Sequence, residues 1–265
     1  MGARVSAAHP VGVGGATPRG PREWVRLAAV AVQFLTRIPV PVRFEPGDLR
    51  RAVGAFPAVG ALVAAIGIAV RWSLTPLFGR PLATVVALAA MVLTTGAFHE
   101  DGFADAADGL WGGDSSEERL RIMRDSRLGT YGTLALIVLF AVKVTALAPM
   151  TLGAFAATLV PAMVLGRASS LVLMRAIAPA PDSLATLAGA PSAWGWAVAG
   201  LTCAGSLAGF GVWAWLPVLA SAAVTLAAAA IVRAKVGGIN GDQLGAANQL
   251  VEVSVLLCGV AVFVR

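Results

Sequence analysis

Apolar runs alternate along the chain with short polar joints or joints marked by glycine and proline. Runs at about 52–78, 82–98, 131–149, 152–176, 193–210, 212–232 and 245–264 each have the length of a membrane-spanning helix, which needs about 20 apolar residues. The joints are Gly79-Arg80-Pro81, Pro149, the stretch from Pro179 to Pro191, and Gly237-Gly238. From Ala193 to Val232, forty residues pass without one Asp, Glu, Lys or Arg, which is room for two spans. Trp24 to Ile38 is apolar but short, carries Arg26 and Arg37 near its ends, and runs into Pro39-Val40-Pro41. That pattern predicts a re-entrant or interfacial helix rather than a crossing. The fold expected is therefore an all-α polytopic transmembrane helix bundle of about seven spans, with a short N-terminal helix beside it.

Residues 1–22 are Gly, Pro, Ala and Arg without an apolar period and read as a disordered tail. Residues 23–265 then form one integral-membrane domain. Met1 to Ser6 formally matches a myristoylation pattern, which is short enough to arise by chance. No compact apolar stretch with a small-residue cleavage site follows the early arginines, so no signal peptide is expected.

Composition agrees with the pattern. The chain is 58% hydrophobic and only 13% charged, with a mean hydropathy of +0.80. A soluble domain is about a quarter charged. The net charge of +6 does not imply nucleic acid as a partner, because the basic residues are scattered and a single Tyr offers little stacking surface. The partner implied is the lipid bilayer, and a homo-oligomer is left open. Placing the N-terminus in the cytoplasm and alternating puts Arg4, Arg19, Arg22, Arg26, Arg37, Arg43, Arg50 and Arg51 inside. Arg119, Arg121, Arg124, Arg127, Arg233 and Lys235 join them, while Arg71, Arg80 and Arg265 fall on the far side. This positive-inside bias expects a cell-membrane protein with its polar loops facing the cytoplasm. Cys203 and Cys258 lie far apart in apolar runs and imply no disulfide.

Eight of the fourteen acidic residues lie between Glu100 and Asp125. Asp101, Asp105 and Asp108 follow an uncharged span at i, i+4 and i+7, so a continuing helix sets them on one face, with Glu100 one step round. Carboxylates on one stripe repel unless a cation neutralises them, and Mg²⁺ commonly takes a few carboxylates together with substrate phosphate oxygens. Ionisable groups among Gly, Phe and Ala at a membrane boundary are costly and mark function. A solvated acidic loop is the plain alternative.

Other polar groups adjoin them. Arg127, in Asp125-Ser126-Arg127-Leu128-Gly129-Thr130, is placed to clamp a phosphate beside the backbone donors of a helix start. Arg167 lies within an apolar span and needs either an anionic ligand or an ion pair with Glu252. The glycine-rich segment from Gly237 to Glu252 leads into the last span. There Gly241 and Gly245 permit close approach of backbone or substrate, while Asp242, Asn248 and Glu252 carry polar groups inward. His99 adjoins the acids as a base or a hydrogen-bonded neighbour.

Four segments together resemble the cobalamin synthase family, the adenosylcobinamide-GDP ribazoletransferases. They are Phe34-Leu35-Thr36-Arg37-Ile38-Pro39-Val40-Pro41, His99 to Gly109, Arg124 to Gly132, and Gly241-Asp242-Gln243-Leu244-Gly245-Ala246-Ala247-Asn248-Gln249. The long N-terminal tail and the low-charge C-terminal half depart from the family without touching these motifs. The resemblance implies a membrane-bound, Mg²⁺-dependent enzyme that joins adenosylcobinamide-GDP to α-ribazole or its 5′-phosphate and releases GMP. Such a phosphodiester transfer asks for positioning and charge neutralisation. Asp101, Asp105 and Asp108 would hold the metal, with Glu100 and Asp242 next. Arg127, Arg167 and Arg37 would stabilise developing charge, and either Asp242 or His99 would accept the hydroxyl proton. Gly241, Gly245, Asn248 and Glu252 would complete the substrate site.

Two other readings compete. A CDP-alcohol phosphotransferase-like lipid enzyme also uses spaced Asp residues, but its pattern wants Ala-Arg after the first Asp-Gly. Asp101-Gly102-Phe103-Ala104-Asp105 has Asp where that Arg belongs. An ion-coupled transporter would use Arg167 and Glu252 near the midplane, whereas this chain concentrates its acids at one surface.

Overall fold

The computed structural model describes residues 20–180, 183 and 185–264, so the Met1 to Ser6 pattern and most of the expected tail lie outside the described residues. Among the described residues every regular element is helical, apart from one isolated bridge between Pro179 and Ile239. Helix α1 (Pro21–Leu35) opens on a proline, whose missing N–H costs nothing in a first turn, and buries Leu27, Val30, Ala31 and Leu35. Pro21 and Arg22, expected in the tail, belong to this helix. Its 15 residues are too few to cross a bilayer.

A short helix α2 (Asp48–Ala52) and a 3₁₀ turn lead into α3 (Phe56–Thr95), 40 residues long. Gly79, at φ 73° and ψ 167°, breaks α3 between Pro76 and Pro81. The break folds the chain back on itself. A Cβ added at Gly67 would strike Met91 Sδ, a residue that a straight helix would carry about 36 Å away. Arg71 and Arg80, one on each arm, donate to the carbonyls of Met150 and Pro149. The two arms are the spans expected at 52–78 and 82–98, the second ending early.

The early ending has a local cause. Gly96 and Ala97 are consecutive left-handed residues, with φ of 69° and 60°, and no right-handed helix passes through such a pair. The expected continuous helix through the acids is thus replaced by a separate one, α4 (Phe98–Gly112). It is followed by α5 (Ser116–Met123), capped by Ser115, then α6 (Thr130–Leu147) and α7 (Leu152–Ala176). The turn-sized α8 (Ala185–Ala188) precedes α9 (Ala193–Ser206), α10 (Trp215–Lys235) and α11 (Gly241–Phe263). Gly211, at φ 54°, separates the 3₁₀ continuation of α9 from α10. Asn240 and Gln243 form a capping box, which starts α11 four residues before the expected 245.

Among the described residues six helical elements are long and apolar enough to cross a membrane, and the longest contains both arms of the α3 hairpin. α11 packs chiefly on α7 and α4, and α3 on α7, around buried Phe155, Leu159, Val251, Val255 and Leu256. Large apolar residues such as Ile137, Leu201, Leu219 and Leu226 face outward. In a chain of this composition such faces contact lipid rather than water. The molecule is a multi-pass membrane protein.

Candidate active site

The acidic helix is fixed by glycine at its crossing with α11. A Cβ at Gly102 would lie 2.9 Å from the Asp242 Cα, and one at Gly245 would lie 3.1 Å from the His99 carbonyl oxygen. Lacking these atoms, α4 and α11 approach backbone to backbone. The far end of α4 is clamped as well. Lys235 lies over the Trp111 ring and donates to the Leu110 carbonyl, while Ser116 Oγ donates to Val236 O at 2.7 Å. The α4–α5 unit is therefore tied to the turn between α10 and α11, which brings Asp242 beside the acidic stripe.

The carboxylates of that stripe diverge in role. Asp101 is exposed, Asp105 is half-buried, and Asp242 lies within electrostatic reach of both. Burial, then Asp101 and Asp108 nearby, pushes Asp105 up to about 6. Asp108 is turned to other work, accepting from the backbone N–H groups of Gly129 at 2.8 Å and Gly132 at 2.9 Å. It satisfies the donors at the start of α6 that the sequence offered to a phosphate. Glu100 turns inward, where Gln249 Nε2 donates to its Oε1 at 3.1 Å and burial raises its carboxyl above the usual range. It faces away from the stripe because its one-step offset on α4 points it at α11. Among the described residues no three His, Cys, Asp or Glu side chains lie close enough to hold an ion unaided.

Behind the stripe lies a closed ionic cluster. Arg167, 2% exposed, pairs with Glu252 at 3.3 Å and also donates to the Met163 carbonyl. Lys143 pairs with the other Glu252 oxygen at 2.7 Å and donates to Gln249 Oε1. Glu252 thus serves as the counter-ion of both cations inside the bundle. The space among these groups is about 10 Å³, room for roughly one water. Lys143 escaped the sequence reading, although a lone charge within an apolar span is a signal in itself. Asn248 is fully buried, and neither of its amide atoms has a hydrogen-bond partner among the described residues.

The outer arginines stand apart. Arg127 is 86% exposed and held by Asp125 at 2.6 Å, and this pairing in turn lowers the Asp125 carboxyl to about 2. Arg37 packs against Gly96 and lines a shallow groove with Gln33 and Pro39 to Pro41. Neither reaches the acidic stripe in this conformation. His99 is buried, and burial first, then Arg167 and Lys143, lowers its pKa well below the usual value. With Asp101, Gly241, Asp242, Gly245 and Arg167 it lines a cavity of about 190 Å³. Phe34, Phe56 and Phe98 form another wall of that cavity, a grouping the sequence did not reveal because the three lie on different helices.

Comparison with known proteins agrees with this geometry. Residues 27–260 match the family model described as cobalamin-5-phosphate synthase. An adenosylcobinamide-GDP ribazoletransferase of Rhizobium johnstonii is 40% identical over 253 residues, covering 88% of this chain and 95% of its own. One from Leptothrix cholodnii is 38% identical, covering 88% and 94%, and one from Bradyrhizobium diazoefficiens is 40% identical, covering 88% and 92%. No solved structure matches the chain. With the match running from the first helix to the last and through every motif of the acidic site, the chain belongs to the cobalamin-5-phosphate synthase family.

Proposed function

We propose that this chain joins adenosylcobinamide-GDP to α-ribazole or its 5′-phosphate, with release of GMP, at a Mg²⁺-dependent site on the cytoplasmic face of the cell membrane. The observation that carries the reading is the approach of Asp242 to Asp101 and Asp105 at a cavity with an aromatic wall. The donor set suits the ion. Asp101 and Asp105 offer oxygen ligands one helical turn apart, and Mg²⁺ needs only one or two carboxylates when water and phosphate supply the rest. Bound there, the ion would neutralise charge on the pyrophosphate.

The chain's own residues do the remaining work. A ribose hydroxyl of α-ribazole attacks the phosphorus that bears cobinamide, a new P–O bond forms, and the P–O bond to GMP breaks. Asp242, partly exposed beside the stripe, accepts the hydroxyl proton, while His99 lies deeper and orients the cavity wall. Arg127 is paired with Asp125 at the surface and would swing toward the leaving GMP. The basic residues of α1, α2 and α5 belong to segments that a positive-inside arrangement would place in the cytoplasm.

The test is GMP release by purified protein in detergent with lipid, Mg²⁺, GDP-cobinamide and α-ribazole phosphate. Wild type releases GMP, and Asp105→Asn loses at least about 100-fold in rate, the scale of losing one preorganised charged group. Normal turnover by Asp105→Asn would sink the metal assignment. No GMP from wild type would sink the reaction.

A further inference from the structure

The cavity beside α4 is chemically divided. On one side Phe34 stacks on Phe56 with ring centroids 5.8 Å apart and meets Phe98 edge-on at 5.7 Å, and Met174 extends the same apolar wall. On the other side stand Asp101 and Asp242. Arg167 also lines it, and its buried Nε has no hydrogen-bond partner among the described residues.

From this division we infer that the cavity is the subsite for the base of the nucleoside acceptor, and that Phe34, Phe56 and Phe98 select a planar, alkylated, hydrogen-bond-poor bicycle. The inference rests on α-ribazole being the acceptor, as proposed above. Three substrate parts compete for the space. A corrin macrocycle is far too large for about 190 Å³. Guanine would fit by size, but set among the phenylalanines its several edge donors and acceptors would lie unpaired on that wall, while Asp101 and Asp242 are engaged at the reacting ribose. The methylated benzimidazole of α-ribazole has no ring donor and a single unsubstituted ring nitrogen. Arg167, which lines the cavity, can donate to that one acceptor. With the base among the phenylalanines, the ribose falls at the carboxylate end, where Asp242 takes its hydroxyl proton. Aromatic side chains supply the face-to-face and edge contacts such a ring prefers.

Phe98 is the residue to change, since it is 43% exposed and its loss spares the core. In Phe98→Leu the KM for α-ribazole rises by about fivefold or more, on the scale of losing one ring contact. The KM for GDP-cobinamide and the melting temperature stay close to wild type. Free dimethylbenzimidazole competes with α-ribazole but not with GDP-cobinamide, and guanosine does not compete with α-ribazole. A Phe98→Leu effect confined to the KM of GDP-cobinamide, or displacement of α-ribazole by guanosine, overturns the inference. Calorimetric titration of free dimethylbenzimidazole into the wild-type protein reads the subsite without turnover. Binding that Phe98→Leu weakens supports the inference even if no GMP is released, and absence of binding overturns it even if the reaction proceeds.

Discussion

The division of labour among acidic residues is set one side chain at a time. Glu252 sits between two cations, Lys143 and Arg167, inside the bundle. Removing its charge in Glu252→Gln takes away the carboxylate paired directly with both cations, a loss of about 3–5 kcal/mol. Lys143→Met leaves the Arg167–Glu252 pair neutral and strands only a carboxylate oxygen and the Gln249 carbonyl, about 1–3 kcal/mol. Unfolding in detergent should therefore rank Glu252→Gln below Lys143→Met, and the reverse order would remove the cluster's structural role. Part of this was legible in sequence. Arg167 and Glu252 are costly charges in apolar runs, and the sequence alone admits their pairing. The inward turn of Glu100 was not, because it depends on Gln249 of α11, which only the packed bundle brings opposite. Asp108 misled for a similar reason. Its stripe position suggested a metal ligand, yet its nearest donors are the backbone N–H groups of Gly129 and Gly132, twenty-one and twenty-four residues on.

At the scale of elements, the site depends on one crossing. Gly102 and Gly245 let α4 and α11 meet without side chains between them, and Asp242 reaches the acidic stripe only because they do. Gly102→Ala places a methyl group 2.9 Å from the Asp242 Cα and must push the helices apart. Its GMP release should fall at least about tenfold, since small misplacements of reacting groups cost that much and more. Gly112→Ala, in the last turn of the same helix, meets nothing closer than 3.8 Å and should keep wild-type rate. Equal activity in the two variants would show that the close crossing is not what assembles the site. Helix limits were readable where glycine and proline punctuate apolar runs, as at Gly79-Arg80-Pro81 and Gly237-Gly238. The start of α4 was not, since it turns on Ala97 in a left-handed conformation that an alanine does not advertise.

For the whole molecule, the hairpin in α3 decides which loops share a face of the membrane. Folding back at Gly79 returns the chain so that α4 and α5 lie at the end from which α3 began, with Arg26, Arg50 and Arg51. Arg71 and Arg80 stay near the hairpin tip, bound to the carbonyls between α6 and α7. A positive-inside orientation then puts the tip outside and the acidic helix in the cytoplasm, where nucleotide-activated substrates are. The orientation can be read in cells after Cys203 and Cys258 are replaced by alanine, so that only introduced thiols respond. A membrane-impermeant maleimide added to intact expressing bacteria should label Leu77→Cys, which is 72% exposed near the tip. It should label Glu117→Cys on α5 only after the cells are permeabilised. Labelling of Glu117→Cys in intact cells would invert the protein and place the site on the wrong side for its substrates, whatever its activity in detergent.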